Sequence, residues 1–246
     1  MSCLILVRHA LPNIDPDVPS VDWTLSVSGR EAATKLAEAL AGYSPRVVLG
    51  GPEPKVIGTA EIIAEHFGLR ARMVPALAKH ARRSAGYVSQ ADFEAAVGLL
   101  FDSPAQVVYG EESADIAHER FASAIDRALA VQDNDSVLAV TGGTVISLFI
   151  SRRGGIRPFP LWRSLRMPTA LVLNCENWKI ITSYHQTSEF PKGSSATTPV
   201  GVICQTLRVT TAPRLFAAAE VYNIGIRSGR AARSSLWMAS PDPYWL

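Results

Sequence analysis

Short unbroken apolar runs alternate along this chain with longer stretches of helical periodicity. Residues 3–7 (CLILV) hold no polar side chain and include β-branched members, the pattern of a central strand buried on both faces. Ser28 followed by Glu31 reads as a capping box, after which Ala32, Leu36, Ala39, Leu40 and Tyr43 fall on one helical face. Residues 46–49 form a second short strand, stopped by Gly50-Gly51-Pro52. A helix over 53–67 follows, with Ile57, Ala60 and Ala64 on one side and Gly68 as its stop. Residues 72–74 suit a peripheral third strand.

Further on, 90–101 and 113–131 read as helices, the second with a buried stripe of Ala117, Phe121, Ala124, Ile125, Ala128 and Leu129. Residues 136–140 make another buried strand, and Thr141-Gly142-Gly143 turns the chain into an apolar helix over 144–150. A polar turn at Glu176-Asn177 splits 169–174 from 178–183, predicting a hairpin. Strands and helices in alternation predict an α/β protein: a three-layer sandwich whose mainly parallel central sheet is flanked by helices.

Past Tyr184 the pattern decays. Residues 192–199 are a Gly/Ser/Thr/Pro stretch, so the expected division is a folded domain over 1–188 and a poorly structured basic extension over 189–246. Charge divides the same way. The net +2 comes from 18 basic and 20 acidic residues in 1–190, against six basic and two acidic residues in 191–246. A partner-binding or dimerising tail, and a tail that is not native coding sequence, are the other readings of that segment.

With 48% hydrophobic and 19% charged residues among 246, the chain can bury a sizeable core. It holds no apolar run long enough to cross a membrane, and residues 1–7 are too short for a signal-peptide core, so a cytoplasmic, membrane-free protein is expected. The body has no basic stripe with interleaved aromatics, which argues against specific nucleic-acid recognition. Cys3, Cys175 and Cys204 are odd in number and far apart, and no residues have metal-ligand spacing. No metal or cofactor is expected. Oligomeric state is left open.

Chemistry is expected where the first strand runs into Arg8-His9-Ala10, because ligands of open α/β sheets bind beyond the carboxyl ends of strands. A strand-end arginine can clamp a phosphoryl group bidentately, and an adjacent imidazole can attack phosphorus. Leu6-Val7-Arg8-His9-Ala10 resembles the first motif of the histidine phosphatase superfamily, the phosphoglycerate mutase-like proteins. So do Trp23, Leu25, Gly29 and Arg30, and the run Gly51-Pro52-Glu53-Pro54-Lys55-Val56-Ile57-Gly58-Thr59-Ala60, which is similar to one bacterial branch. The stretches 108–113, Arg120-Phe121 and 162–169 extend the likeness, in order, across about residues 1–185.

That resemblance implies a phosphohydrolase that needs no metal and in which His9 is the phosphorylated nucleophile. Arg8 would hold phosphoryl oxygens, helped by Lys55 where many members have arginine; lysine supplies charge without the planar fork. Asn13, Gly142, Gly143 and Thr144 join Arg8 and Lys55 as candidate binders of a small phosphorylated substrate or phosphate-like anion.

Two positions depart from the family. Its second histidine sits in a Thr/Ser-His-Gly-Thr motif, whereas this chain has Thr141-Gly142-Gly143-Thr144. Loss of one well-placed donor typically costs about 2.7–4 kcal/mol. The branch's acid, in Leu-x-Glu-His, is replaced in Leu77-Ala78-Lys79-His80; losing a general acid costs roughly 10²–10⁴-fold. His80 and Glu112 are the candidate substitute acids. Reduced hydrolysis is therefore expected, with a non-catalytic phospho-ligand or protein-binding module as the alternative. Reversing both changes (Lys79→Glu with Gly142→His) is expected to raise activity.

Overall fold

The computed structural model describes residues 3–132 and 135–185. The 189–246 extension thus lies outside the described residues. Six strands form one sheet in the order β3-β2-β4-β1-β5-β6. They are β1 (Cys3–Arg8), β2 (Val47–Gly50), β3 (Ala71–Met73), β4 (Val137–Thr141), β5 (Thr169–Asn174) and β6 (Ile180–His185). β1 to β4 run parallel, and β5 and β6 add an antiparallel hairpin beside β1.

Strand β1 is buried along its whole length because alternate side chains enter different layers. Ile5 and Val7 pack with Leu36 of α1 (Val27–Ala39) and with Val56 and Ile63 of α2 (Pro54–His66). Leu4 and Leu6 join Phe121 of α4 (Ala114–Val131) and Phe149 of α5 (Gly143–Gly154) on the opposite face. Helices α3 (Gln90–Asp102) and α6 (Pro158–Ser164) complete that layer through Phe93 and Trp162, whose rings meet edge to face at 5.6 Å. The three-layer α/β sandwich expected from the apolar pattern is the observed fold.

Local details differ from the sequence reading. Helix α1 is capped by Ser26, whose Oγ accepts from Gly29 N at 3.0 Å; Ser28 lies inside the first turn. Ser26 is extended (φ −74°, ψ 165°), the backbone a cap needs. The last hairpin starts β6 at Ile180 instead of 178, because Asn174 Oδ1 accepts from Glu176 N and Asn177 N, and the turn consumes the next residues. Trp178 goes into the core, its ring 5.4 Å from that of Phe149. His118 of α4 is half-buried and stacks on Phe149. Helix α6 has no counterpart in the sequence reading; Pro158 stands at its first position, where proline's fixed φ is compatible with helix.

Register is what assembles the chemistry. Arg8 pairs with Thr141 across β1 and β4, and Gly50 of β2 pairs with Val140. His9 N then donates to Thr141 O at 3.0 Å, and Gly51 N to Val140 O at 3.1 Å. The segments leaving three adjacent parallel strands therefore emerge side by side at one sheet edge.

Candidate active site

At that edge is a hollow lined by Arg8, His9, Lys55, Lys79, Arg82 and the start of α5, Gly142 to Thr144. Ser20, Trp23, His80, Phe93 and Trp162 complete its wall. Arg8 and His9 are 4% and 6% exposed, so both are held by protein contacts and not by water.

The ring of His9 is fixed in one tautomer. Its Nδ1 lies 2.8 Å from Ala10 O, and a carbonyl can only accept, so Nδ1 carries the proton and Nε2 keeps its lone pair. Ala10 is held in turn, its N–H donating to Thr59 Oγ1 at 3.1 Å while that hydroxyl donates to Lys55 O. Burial pushes the His9 pKa well below its ordinary 6.5, and Lys55, Arg8 and Lys79 push the same way against the opposing Ala10 hydrogen bond. The imidazole is neutral at pH 7.

Arg8 donates through Nη1 to Leu165 O, and its buried Nε has no protein partner. Space for the guanidinium comes from Gly143, where a Cβ would lie 3.3 Å from Arg8 Cδ. Burial, then Arg82, lowers the Arg8 pKa to about 10, leaving it charged. Lys55 stands in the first turn of α2, its ammonium 5.3 Å from the centre of the Trp23 ring and donating to Ser20 O. Burial, then Arg82, brings its pKa down to about 8. Lys79 Nζ donates to Ser20 Oγ at 2.7 Å. Burial lowers its pKa far below 10.5, with Arg82 and Lys55 adding to the effect.

Four basic side chains thus line one hollow, and among the described residues no carboxylate lines it. A lining of this charge favours an anion. Nearest in influence is Glu53, whose Oε1 accepts from Lys79 N at 2.8 Å behind the wall. Its buried Oε2 is unpartnered.

Several expected residues take other places. Asn13 is exposed and turned to Thr24 Oγ1 at 3.4 Å, outside the hollow. Glu112 is buried but occupied: Oε1 accepts from Arg120 Nη2 at 2.7 Å and from Ala81 N at 2.8 Å. It does not reach the hollow and cannot serve there as an acid. His80 does line it, yet its Nε2 lies 2.9 Å from Glu112 O and so spends its proton on that carbonyl. The nitrogen left over is unprotonated, and burial lowers the pKa further, so His80 is unsuited to donating.

Arg82, Ser20, Phe93 and Trp162 were missed. Arg82 packs over the Phe93 ring at 4.1 Å, a contact between a loop and α3 for which no spacing in the sequence gives a signal.

The cost of crowding cations is measurable. The unfolded chain protonates Lys79 near 10.5 and the fold resists it, so the unfolded state binds more protons and stability rises with pH toward that value. Lys79→Met is expected to raise the melting temperature in phosphate-free buffer, and by more at pH 6 than at pH 10. A lower midpoint than wild type at pH 6 would contradict this electrostatic picture.

A mainly parallel α/β sandwich thus carries an imidazole and a cation cluster beyond its strand ends, chemistry suited to an anion. The model of the histidine phosphatase superfamily (branch 1) matches residues 4–177, and the chain belongs to that superfamily. No curated protein matches it. Among solved structures, a mycobacterial glucosyl-3-phosphoglycerate phosphatase aligns with TM-score 0.54 and 20% identity, over 72% of this chain and 92% of its own. The α-ribazole phosphatase of Shigella flexneri gives 0.54 and 19%, over 72% and 95%. A phosphoserine phosphatase mutant of Entamoeba histolytica, in complex with phosphoserine, gives 0.55 and 16%, over 76% and 92%. At such identities they share the fold. Among the described residues no helix is long and apolar enough to cross a membrane.

Proposed function

We propose that the protein hydrolyses phosphomonoesters through a phosphoryl group carried on His9 Nε2. What supports this most is the fixed tautomer of His9: its nucleophilic nitrogen belongs to a ring that lines a hollow of four basic side chains. Arg8, Lys55 and the backbone N–H groups at the start of α5 hold the phosphoryl oxygens. Nε2 attacks phosphorus as the bond to the ester oxygen breaks, and the alkoxide leaves with the bonding pair. Water then attacks phospho-His9, releasing inorganic phosphate and restoring the imidazole.

Protonation of the leaving oxygen is the weak step, since no carboxyl group reaches the hollow. Lys79 is the lining group placed to supply it, because the charge of a bound dianion offsets Lys55 and Arg82 and raises the amine's affinity for a proton. Turnover below that of a relative with an intact acid and second imidazole is expected. A phospho-ligand-binding module is the second reading, favoured by Gly142, by the His80 proton held on Glu112 O and by the Glu112 carboxylate paired with Arg120.

Rapid quenching during incubation with p-nitrophenyl phosphate, followed by mass spectrometry of the peptide containing His9, separates them. A phosphoryl adduct on that peptide is expected. Vanadate binding by calorimetry with neither adduct nor turnover establishes the module, and absence of binding removes both readings.

A further inference from the structure

A narrow slot opens from the hollow and shares four wall residues with it: Ser20, Trp23, Arg82 and Phe93. Its remaining wall is almost entirely apolar or aromatic, from Val18, Tyr87, Val88 and Tyr109. Trp23 and Tyr87 lie on one side with centroids 6.5 Å apart, Phe93 and Tyr109 on another at 6.0 Å, both pairs tilted. The chain reaches this arrangement through Gly86, whose φ of +66° ends a short turn at Arg83–Ala85 and sends Tyr87 back toward Trp23. Tyr87 is left 48% exposed, a large ring at the slot's mouth.

Two of the slot's polar side chains, Trp23 and Ser20, are engaged, while Arg82 and the phenols of Tyr87 and Tyr109 also line it. Trp23 Nε1 donates to Asp15 O at 2.9 Å and Val18 O at 3.0 Å, so the indole offers a ring and no donor. Ser20 Oγ is engaged by Lys79. Among the described residues no Asp, Glu, Asn or Gln lines the slot. An ammonium-bearing alcohol would meet Arg82 with no carboxylate among the described lining residues to offset it. A flat apolar group would gain ring contacts on two sides.

We propose that the substrate is a monoester whose alcohol half is aromatic, seated in this slot between Trp23, Tyr87 and Tyr109 with its phosphoryl group against Arg8 and His9. The proposal rests on reading the hollow as the phosphoryl site, and its test keeps the two apart by measuring binding without turnover. Calorimetric titrations compare benzylphosphonate, methylphosphonate and inorganic phosphate on the full chain. Benzylphosphonate is expected to bind about tenfold or more tightly than methylphosphonate, and Tyr87→Ala to narrow that gap.

Equal affinity for the two phosphonates, in protein that binds inorganic phosphate, overturns the slot and leaves the hollow standing. A ring preference untouched by Tyr87→Ala places the ring elsewhere and also overturns it. Failure to bind phosphate or either phosphonate overturns the reading of the hollow itself, and the slot with it.

Discussion

His9→Ala is expected to cut phosphate release from p-nitrophenyl phosphate by about three orders of magnitude or more. No other ring nitrogen is positioned to replace Nε2. The one further histidine lining the hollow, His80, has its Nε2 bound to Glu112 O. Alanine leaves the β1 to β4 ladder untouched, since His9 N donates to Thr141 O whatever the side chain. The only side-chain bond lost is the one to Ala10 O. A melting midpoint close to wild type should therefore accompany the loss, along with retained phosphate binding through Arg8 and Lys55. Equal rates for the two proteins would end the phospho-histidine mechanism, whatever the anion affinity. Loss of rate with loss of fold would instead be exposed by the melt and by the phosphate titration.

How far the sequence carried this picture depends on which physical signal each feature has. Parallel strands covered on both faces need unbroken apolar runs, and residues 3–7 and 137–140 have them, so the sheet's centre was legible. Arg8 and His9 follow directly from a strand end. Gly143 and Thr144 follow because α5 must start where β4 stops. Lys55 was found through resemblance alone, because its place over Trp23 depends on contacts across the fold.

The misplacements share a cause. Asn13 and Glu112 have suitable chemistry and lie near suitable residues in the chain, but their hydrogen bonds go to Thr24 and Arg120. Partner choice is a tertiary property that residue type does not reveal. Arg82 and the aromatic slot are illegible for the same reason, since Trp23, Tyr87, Phe93 and Tyr109 come from separate loops and a helix.

A large stability effect is expected at Gly142. Its backbone (φ −90°, ψ 152°) is open to any residue, so the demand for glycine is one of space. A Cβ there would lie 2.7 Å from Lys79 Cβ and 3.5 Å from Lys79 Cα, a clash that no rotation of the lysine relieves. Nor can the lysine's backbone retreat. Lys79 N is held by Glu53 Oε1, and Thr141 Oγ1 donates to Leu77 O at 2.7 Å. Arg120 Nη1 donates to Ala76 O and Ala78 O, and Nη2 to Lys79 O. Gly142→Ala is thus expected to destabilise by about 1–3 kcal/mol in urea unfolding, and Gly142→His by at least as much.

Restoring the family's pair by Lys79→Glu with Gly142→His, reasonable from sequence, fails on this geometry because glutamate carries the same Cβ. Lys79→Gly should rescue Gly142→Ala, giving a favourable coupling in a double-mutant cycle. A Gly142→Ala protein as stable as wild type would remove the argument. Its consequence for function is one-sided: the backbone carrying Lys79 fills the space that a second imidazole's Cβ would need, so Gly142 cannot become histidine without a shift of that backbone, whereas Lys79→Glu alone meets no such clash.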